Sequence, residues 1–242
     1  MSSEVRIALL IGLFVAGLIA RRRGWLKPPH AGAMLRLVIT VGLPALFIAD
    51  VSRIPLRADL IALPVSSLAI MLLTIGAALL VGRAMRLPRP EQGSLTLCGA
   101  SINNGFLFPF VIAAWGQAGF AELALFDFGH IIGQSTFVYM LAAWYGGHGA
   151  QAHVVLKRAL AFPPLWALLA ALTLNVSDTT LPAWLVEILR LVGQSILLLV
   201  IVALGVLFDA RLLGDRRVIA ALALRVLLGL ALGLALAWIF DL

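Results

Sequence analysis

Eight long apolar runs, joined by short connections, account for almost the whole of this chain of 242 residues. A helix needs about 20 consecutive apolar residues to cross the hydrocarbon core of a bilayer. Because 62% of the residues are hydrophobic and only 12% are charged, the chain cannot bury its apolar surface in a water-soluble core. The sequence therefore predicts an all-α integral membrane protein with eight transmembrane helices. The predicted spans are residues 5–20, 33–51, 59–82, 94–115, 118–145, 156–175, 182–208 and 217–240.

The positively charged residues indicate how these spans are oriented. Cytoplasmic loops of multi-pass proteins carry an excess of Lys and Arg. With the N-terminus outside, every inside loop is positive and few positive residues lie outside, so we expect both termini outside. This orientation also explains the net charge of +7 without a nucleic-acid partner. The inside residues are Arg21, Arg22, Arg23, Lys27, Arg83, Arg86, Arg89, Lys157, Arg158, Arg211, Arg216 and Arg217, and the outside residues are Arg6, Arg53 and Arg57.

The fourth run contains residues that a continuous membrane helix does not favour. Asn103, Asn104, Gly105 and Pro109 lie near its middle. Proline has no N–H to donate, and its ring clashes with the carbonyl group four residues earlier. Secondary transporters use interrupted helices of this kind to present helix ends and backbone groups to a solute near the midplane. The alternative is a Pro-kinked helix whose asparagines hydrogen-bond to neighbouring helices.

The fifth run carries a stripe of polar residues on one helical face. Asp127, His130 and Gln134 have i, i+3, i+7 spacing. The tight connection at 117–119 makes the fourth and fifth helices antiparallel neighbours, so Asn103 and Asn104 are expected at a comparable depth. Ionisable residues inside a membrane span tend to mark solute or proton paths. The alternative is a static cluster that holds two helices together.

The second and seventh runs show a weak internal similarity. Leu35–Val38 and Leu189–Val192 share the sequence Leu-Arg-Leu-Val, and the predicted orientation makes the two helices run in opposite senses. Such a relationship is typical of an inverted repeat. Glu187 and Arg190, three residues apart, are interpreted as a local ion pair.

Catalytic and metal-binding patterns are missing from the sequence. No nucleophile–base pair, metal-ligand spacing or phosphate loop has the context that it needs. We therefore expect a protein that is not an enzyme and that needs neither a metal nor another cofactor.

Several segments resemble the auxin efflux carrier family, which includes plant carriers and bacterial permeases annotated for malate or malonate. The specific resemblance lies in Asn103–Pro109, Ala113–Gly116 and Ala124–His130. More generic agreement is found in Arg21–Leu26, Val41–Leu46 and Phe162–Ala167.

The resemblance implies a ten-helix fold made of two inverted five-helix repeats, with broken fourth and ninth helices that cross at the solute site. Residues 1–145 would then form the first repeat, with its crossover at 103–109, and residues 156–242 an incomplete second repeat. Two local departures from the family pattern are a missing glycine between Phe108 and Pro109 and a histidine, His130, where an asparagine is usual. The chain also stops at Leu242, after the eighth helix. We expect either that a second copy completes the site, as a homodimer, or that transport is reduced or lost.

The resulting hypothesis is a permease for small organic anions in the inner membrane of a bacterium, working by alternating access. The alternative is a truncated or non-transporting membrane subunit whose polar cluster is structural. The expected substrate-binding residues are Asn103, Asn104, Gly105, Pro109, Asp127, His130 and Gln134.

Overall fold

The computed structural model describes residues 3–54, 58–100, 104–146, 157 and 160–209, and helical residues at 222, 226, 227, 229–235 and 238. Every regular element in these residues is helical, which confirms the all-α prediction. The α-helices are α1 (Ser3–Arg22), α2 (Pro28–Leu37), α3 (Leu43–Asp50), α4 (Ala62–Ala84), α5 (Arg89–Ala100), α6 (Phe108–Gly133), α7 (Tyr139–Tyr145), α8 (Pro163–Val176) and α9 (Ala183–Leu207). The 3₁₀ segments are Val51–Arg53, Ala58–Ile61 and Asn104–Phe106, and the π-helical segments are Val38–Gly42 and Gln134–Val138.

Four helical stretches in the described residues are long and apolar enough to cross a membrane. They are Pro28–Arg53, Ala62–Ala84, Phe108–Tyr145 and Ala183–Leu207, and α8 is a shorter apolar helix. The predicted span at 217–240 falls mostly outside the described residues. The total of eight spans therefore stays a prediction.

The chain divides into two compact units that do not follow the order of the sequence. Unit 1 comprises Met1–Leu56, Asn103–Ala124 and Phe162–Phe208. Unit 2 comprises Arg57–Ile102, Leu125–Ala161 and Asp209–Leu242. The division into two five-helix repeats at 1–145 and 156–242 stays a prediction.

In unit 1, α9 packs against α1, α2 and α3. Ala31, near the start of α2, packs with Ala203, near the end of α9. Leu46 of α3 lies beside Gly193, which is nearer the start of α9. The α2–α3 segment and α9 are therefore antiparallel, in agreement with the opposite senses predicted for the second and seventh spans. The inverted repeat itself stays a prediction.

The crossing of α1 and α9 depends on two glycines. A Cβ atom at Gly17 would overlap the backbone carbonyl of Val202, and one at Gly205 would overlap the carbonyl of Phe14. Small residues allow membrane helices to bring their backbones together, so that van der Waals contact replaces the missing hydrophobic driving force.

The widened turn between α2 and α3 has a local cause in Pro44. This proline cannot donate to the carbonyl of Thr40, and its ring needs space beside that carbonyl. The chain is π-helical over Val38–Gly42, directly before α3 begins. A single widened turn of this kind relieves the conflict without ending the span.

Helix α6 reverses direction at Gly116. This glycine has φ 70° and ψ −156°, a left-handed conformation that glycine adopts without steric cost. In a straight helix, Phe108 and Phe120 would be about 18 Å apart along the axis, yet their ring centroids are 5.0 Å apart. The segment 108–124 of unit 1 therefore folds back at Gly116 into two antiparallel arms. This agrees with the antiparallel connection predicted between the fourth and fifth helices. The part of α6 after Gly116 is its second arm.

In unit 2, α4 packs against α5, and residues of α4, α5 and the π-helical segment Gln134–Val138 form an apolar cluster. The second arm of α6 approaches α4 closely at Gly129, where a Cβ would overlap the carbonyl oxygen of Pro64. One turn later, Gly133 lies against Leu68 and Met71. Two small residues thus let this arm lie directly on α4.

Candidate functional site

The fourth predicted helix is interrupted where the sequence indicates. Helix α5 ends at Ala100, a 3₁₀ turn occupies Asn104–Phe106, and α6 begins at Phe108. The backbone N–H of Leu107 donates to the carbonyl oxygen of Asn104 at 2.8 Å, which closes this turn. The interruption is confirmed in the described residues, whereas Asn103 lies outside them.

Pro109 is the second residue of α6. The N–H groups of the first turn of a helix have no intrahelical partner, so a proline costs nothing there, and its fixed φ favours a helix start. The 3₁₀ conformation at Gly105 and the start of α6 at Phe108 contradict the alternative of one continuous Pro-kinked helix.

A cluster of three phenylalanines fixes the start of α6 within unit 1. The ring of Phe108 lies 6.1 Å from that of Phe47 and 5.0 Å from that of Phe120, between centroids. All three side chains are fully buried. Asn104, in the preceding turn, is also buried, and this turn packs against α9. The buried phenylalanine cluster therefore follows the turn that contains the buried Asn104.

The predicted polar stripe divides into a buried part and an exposed part. Asp127 and His130 are buried within unit 2, with 8% and 3% of their surface exposed. Gln134 is exposed and begins the π-helical segment Gln134–Val138. The polar stripe therefore ends where the backbone leaves the regular α-helix. Single π-helical turns of this kind occur frequently at functional sites.

Two buried serines of unit 2 have no counterpart among the predicted site residues. Ser66 and Ser67 lie on α4, between the residues that contact Gly129 and Gly133, and both are buried. Within the described part of the chain, neither hydroxyl has a hydrogen-bond partner. Adjacent serines in a predicted span are a usable signal in the sequence. Buried hydroxyls without a partner are uncommon in proteins, so these two are candidate groups for contact with a polar solute.

An ion pair that joins α3 and α9 was not predicted. Asp50 Oδ1 accepts hydrogen bonds from Arg190 Nε at 2.9 Å and from Arg190 Nη2 at 2.7 Å. The Asp50 side chain is fully buried, and that of Arg190 is 35% exposed. The predicted pairing of Arg190 with Glu187 is wrong, because Glu187 is exposed and the guanidinium turns across to α3. Helical spacing along the sequence predicts only contacts between nearby residues, and Asp50 is 140 residues from Arg190.

The end of the second predicted span is fastened to α8. Asn175 Nδ2 donates to the carbonyl oxygens of Val51 and Ile54, at 2.9 and 2.8 Å. Arg53 Nη2 donates to the carbonyl oxygen of Leu181 at 3.3 Å. The two Asn175 bonds satisfy carbonyls that the end of a helix leaves without intrahelical partners.

The structure combines long apolar helices, an interrupted helix with a buried amide, and ionisable side chains inside the spans. These features are typical of membrane transporters. Residues 4–242 match the family described as "Membrane transport protein", to which the auxin efflux carriers belong, and the chain is a member of this family. It is 29% identical to an uncharacterized transporter of Methanothermobacter thermautotrophicus over 216 residues. The matched region covers 88% of this chain and 70% of that protein. The protein is therefore a multi-pass membrane transporter and not an enzyme.

Proposed function

We propose that this transporter is a permease for small organic anions, and that carboxylates cross by alternating access around the interruption between α5 and α6. The observation that carries this proposal is the buried amide of Asn104 in a 3₁₀ turn directly before the start of α6. Backbone that leaves the helical pattern at membrane depth is tolerated only where protein or a water-filled cavity satisfies it.

The chemistry of the interruption suits an anion. The first N–H groups of a helix point outward from its end, and the helix dipole favours negative charge there. An asparagine amide adds donors without adding a charge that would hold the solute too strongly. The substrate-binding residues that we propose are Asn103, Asn104, Gly105, Pro109, Asp127, His130 and Gln134.

We place the protein in the inner membrane of a bacterium, with both termini outside. The orientation is supported by the distribution of Lys and Arg along the sequence, which makes one set of loops positive. The choice of membrane rests on the resemblance to bacterial permeases. A homodimer stays a prediction.

The proposal is tested by uptake of labelled acetate, succinate and citrate into vesicles that contain the purified protein. Asn104→Ala is expected to reduce uptake roughly tenfold, because loss of one buried polar contact to a solute costs about 1–3 kcal/mol and each 1.4 kcal/mol is a factor of about ten. Gln117→Ala is the matched control, since it removes an amide just beyond the turn at Gly116 and should leave uptake unchanged. Thermal melting in detergent verifies that both variants are folded.

Two outcomes contradict the proposal in different ways. Equal uptake by the Asn104→Ala variant and the wild type would remove the interruption from the solute path. Failure of the folded wild type to transport any of the three anions would favour the alternative, a non-transporting membrane subunit.

A further inference from the structure

The ion pair of Asp50 and Arg190 has an unequal geometry. Arginine and a carboxylate often form a fork in which two N–H groups meet two oxygens. Here both donors, Nε and Nη2, meet the single oxygen Oδ1 of Asp50. The other oxygen, Oδ2, is buried and has no hydrogen-bond partner within the described residues. The carboxylate therefore retains one acceptor atom that Arg190 does not use.

Arg190 is the only charged partner that contacts Asp50 in the described part of unit 1. Helix α3 packs against α8, α9 and the neighbouring short helical segments. Helix α8 contains no charged residue. On α9 the other ionisable side chain is Glu187, which is exposed, and Arg53, three residues after Asp50, is directed to the carbonyl of Leu181. Arg53 adds a favourable charge interaction at longer range, while the direct contacts to the Asp50 carboxylate come from Arg190.

The two partners differ in access. Asp50 is enclosed, whereas about a third of the Arg190 side chain is exposed. Nε and Nη2 make the contacts to Asp50, so the remaining N–H groups of the guanidinium are directed elsewhere. A guanidinium of this kind can bind a second carboxylate in a planar, charge-assisted geometry.

We infer that Asp50 and Arg190 form a proton-linked carboxylate site, in which a solute carboxylate replaces Asp50 on Arg190 while Asp50 Oδ2 takes up a proton. The inference rests on the proposed transport of organic anions and deepens it. The charges balance. Before binding, Asp50 is −1 and Arg190 is +1. After binding, Asp50 is neutral and Arg190 pairs with the solute carboxylate.

The physical reason is the cost of an isolated charge. Removing one partner of a buried ion pair is strongly unfavourable because it leaves the other charge uncompensated. Arg190 can turn to a solute only if Asp50 loses its charge at the same time. A proton on the unused oxygen removes that charge without moving the backbone.

The helices that carry the pair also pack against the residues of the interruption. Asp50 follows Phe47 by three residues, about one turn of α3, and Phe47 packs against Phe108 at the start of α6. Arg190 lies on α9, which packs against the Asn104–Phe106 turn. A change at the ion pair therefore acts on the two helices that hold the interruption.

The test is calorimetric titration of the purified full chain with succinate, near neutral pH, in buffers of different ionisation enthalpy. For the wild type we expect about one proton taken up per succinate bound, as the charge balance requires. Asp50→Asn imitates the protonated carboxyl, so it should abolish proton uptake and bind succinate roughly tenfold more tightly. Arg190→Gln should lose binding.

Two further variants serve as controls. Glu187→Gln removes a carboxylate from the exposed face of α9 and should keep the affinity and proton uptake of the wild type. The double variant Asp50→Asn/Arg190→Gln leaves no uncompensated charge, so it should fold and not bind succinate. Its melting temperature separates loss of binding from loss of structure.

The outcomes distinguish this inference from the proposed function. Succinate binding to the wild type without proton uptake, or undiminished proton uptake by Asp50→Asn, overturns the inference while anion transport stands. The wild-type measurement alone can overturn the inference, even if a single variant does not fold. If the wild type neither binds nor transports any carboxylate, the proposed function fails and the inference falls with it.

Discussion

Phe108, the first residue of α6, packs against Phe47 of α3 with ring centroids 6.1 Å apart and planes at 73°. This edge-on arrangement is one that aromatic rings prefer. The contact connects the start of α6 to α3, which comes from a distant part of the sequence. The start of α6 is therefore supported by a packed core within unit 1.

Truncation of Phe108 should destabilise the protein strongly. Phe108→Ala leaves a cavity between two buried rings, and we expect a loss of about 3 kcal/mol. Thermal unfolding in detergent measures this loss. Phe110→Ala is the control, because Phe110 is 37% exposed and makes no part of the cluster. Equal melting temperatures for the two variants would contradict the anchoring role of Phe108.

Because α4 lies very close to the second arm of α6, we expect that adding a single methyl group at Gly129 destabilises the protein. Gly129→Ala places a Cβ against the backbone carbonyl of Pro64, which cannot yield as a flexible side chain does. We expect a destabilisation of about 1–3 kcal/mol, seen as a lower melting temperature and a lower yield of monodisperse protein. Gly76→Ala on α4 has open space around its new Cβ and should be tolerated. A stable Gly129→Ala variant would show that the two helices are farther apart.

Asn175 should stabilise the end of the second predicted span through its side-chain hydrogen bonds. Asn175→Ala removes two hydrogen bonds to the carbonyls of Val51 and Ile54 and should cost about 1–3 kcal/mol. Asn175→Asp should be worse, since a carboxylate would face carbonyl oxygens. Ser177→Ala, two residues later on an exposed turn, is the control. Thermal melting ranks the variants, and an Asp variant as stable as the wild type would contradict the assigned donor role.

The predicted orientation can be measured by cysteine labelling in intact cells. In a Cys98→Ser background, cysteines are placed at Met85 and Ser177, both of which are exposed. A membrane-impermeant maleimide should label Ser177→Cys directly and Met85→Cys only after permeabilisation, because the Arg83–Arg89 loop is positive and stays inside. Labelling of both from the same side would contradict the span assignment between them. The reverse pattern would invert the orientation.

Much of the architecture is determined locally and can be seen in the sequence. Runs of apolar residues specify helices in a membrane because every backbone group must be satisfied within its own segment. The interruption was predictable because Asn103, Asn104, Gly105 and Pro109 act through local backbone chemistry. The reversal between the fourth and fifth helices followed from the short connection near Gly116.

The tertiary structure alone decided which distant residues meet. The sequence placed Arg190 with Glu187, since helical spacing reveals only neighbours along one helix. The antiparallel packing of α3 and α9 instead brings Arg190 to Asp50, where burial makes a counter-ion necessary. The same holds for Phe47 with Phe108 and for the glycines that set the helix crossings. These contacts depend on how helices from separate parts of the chain pack together, and no local pattern in the sequence encodes that arrangement.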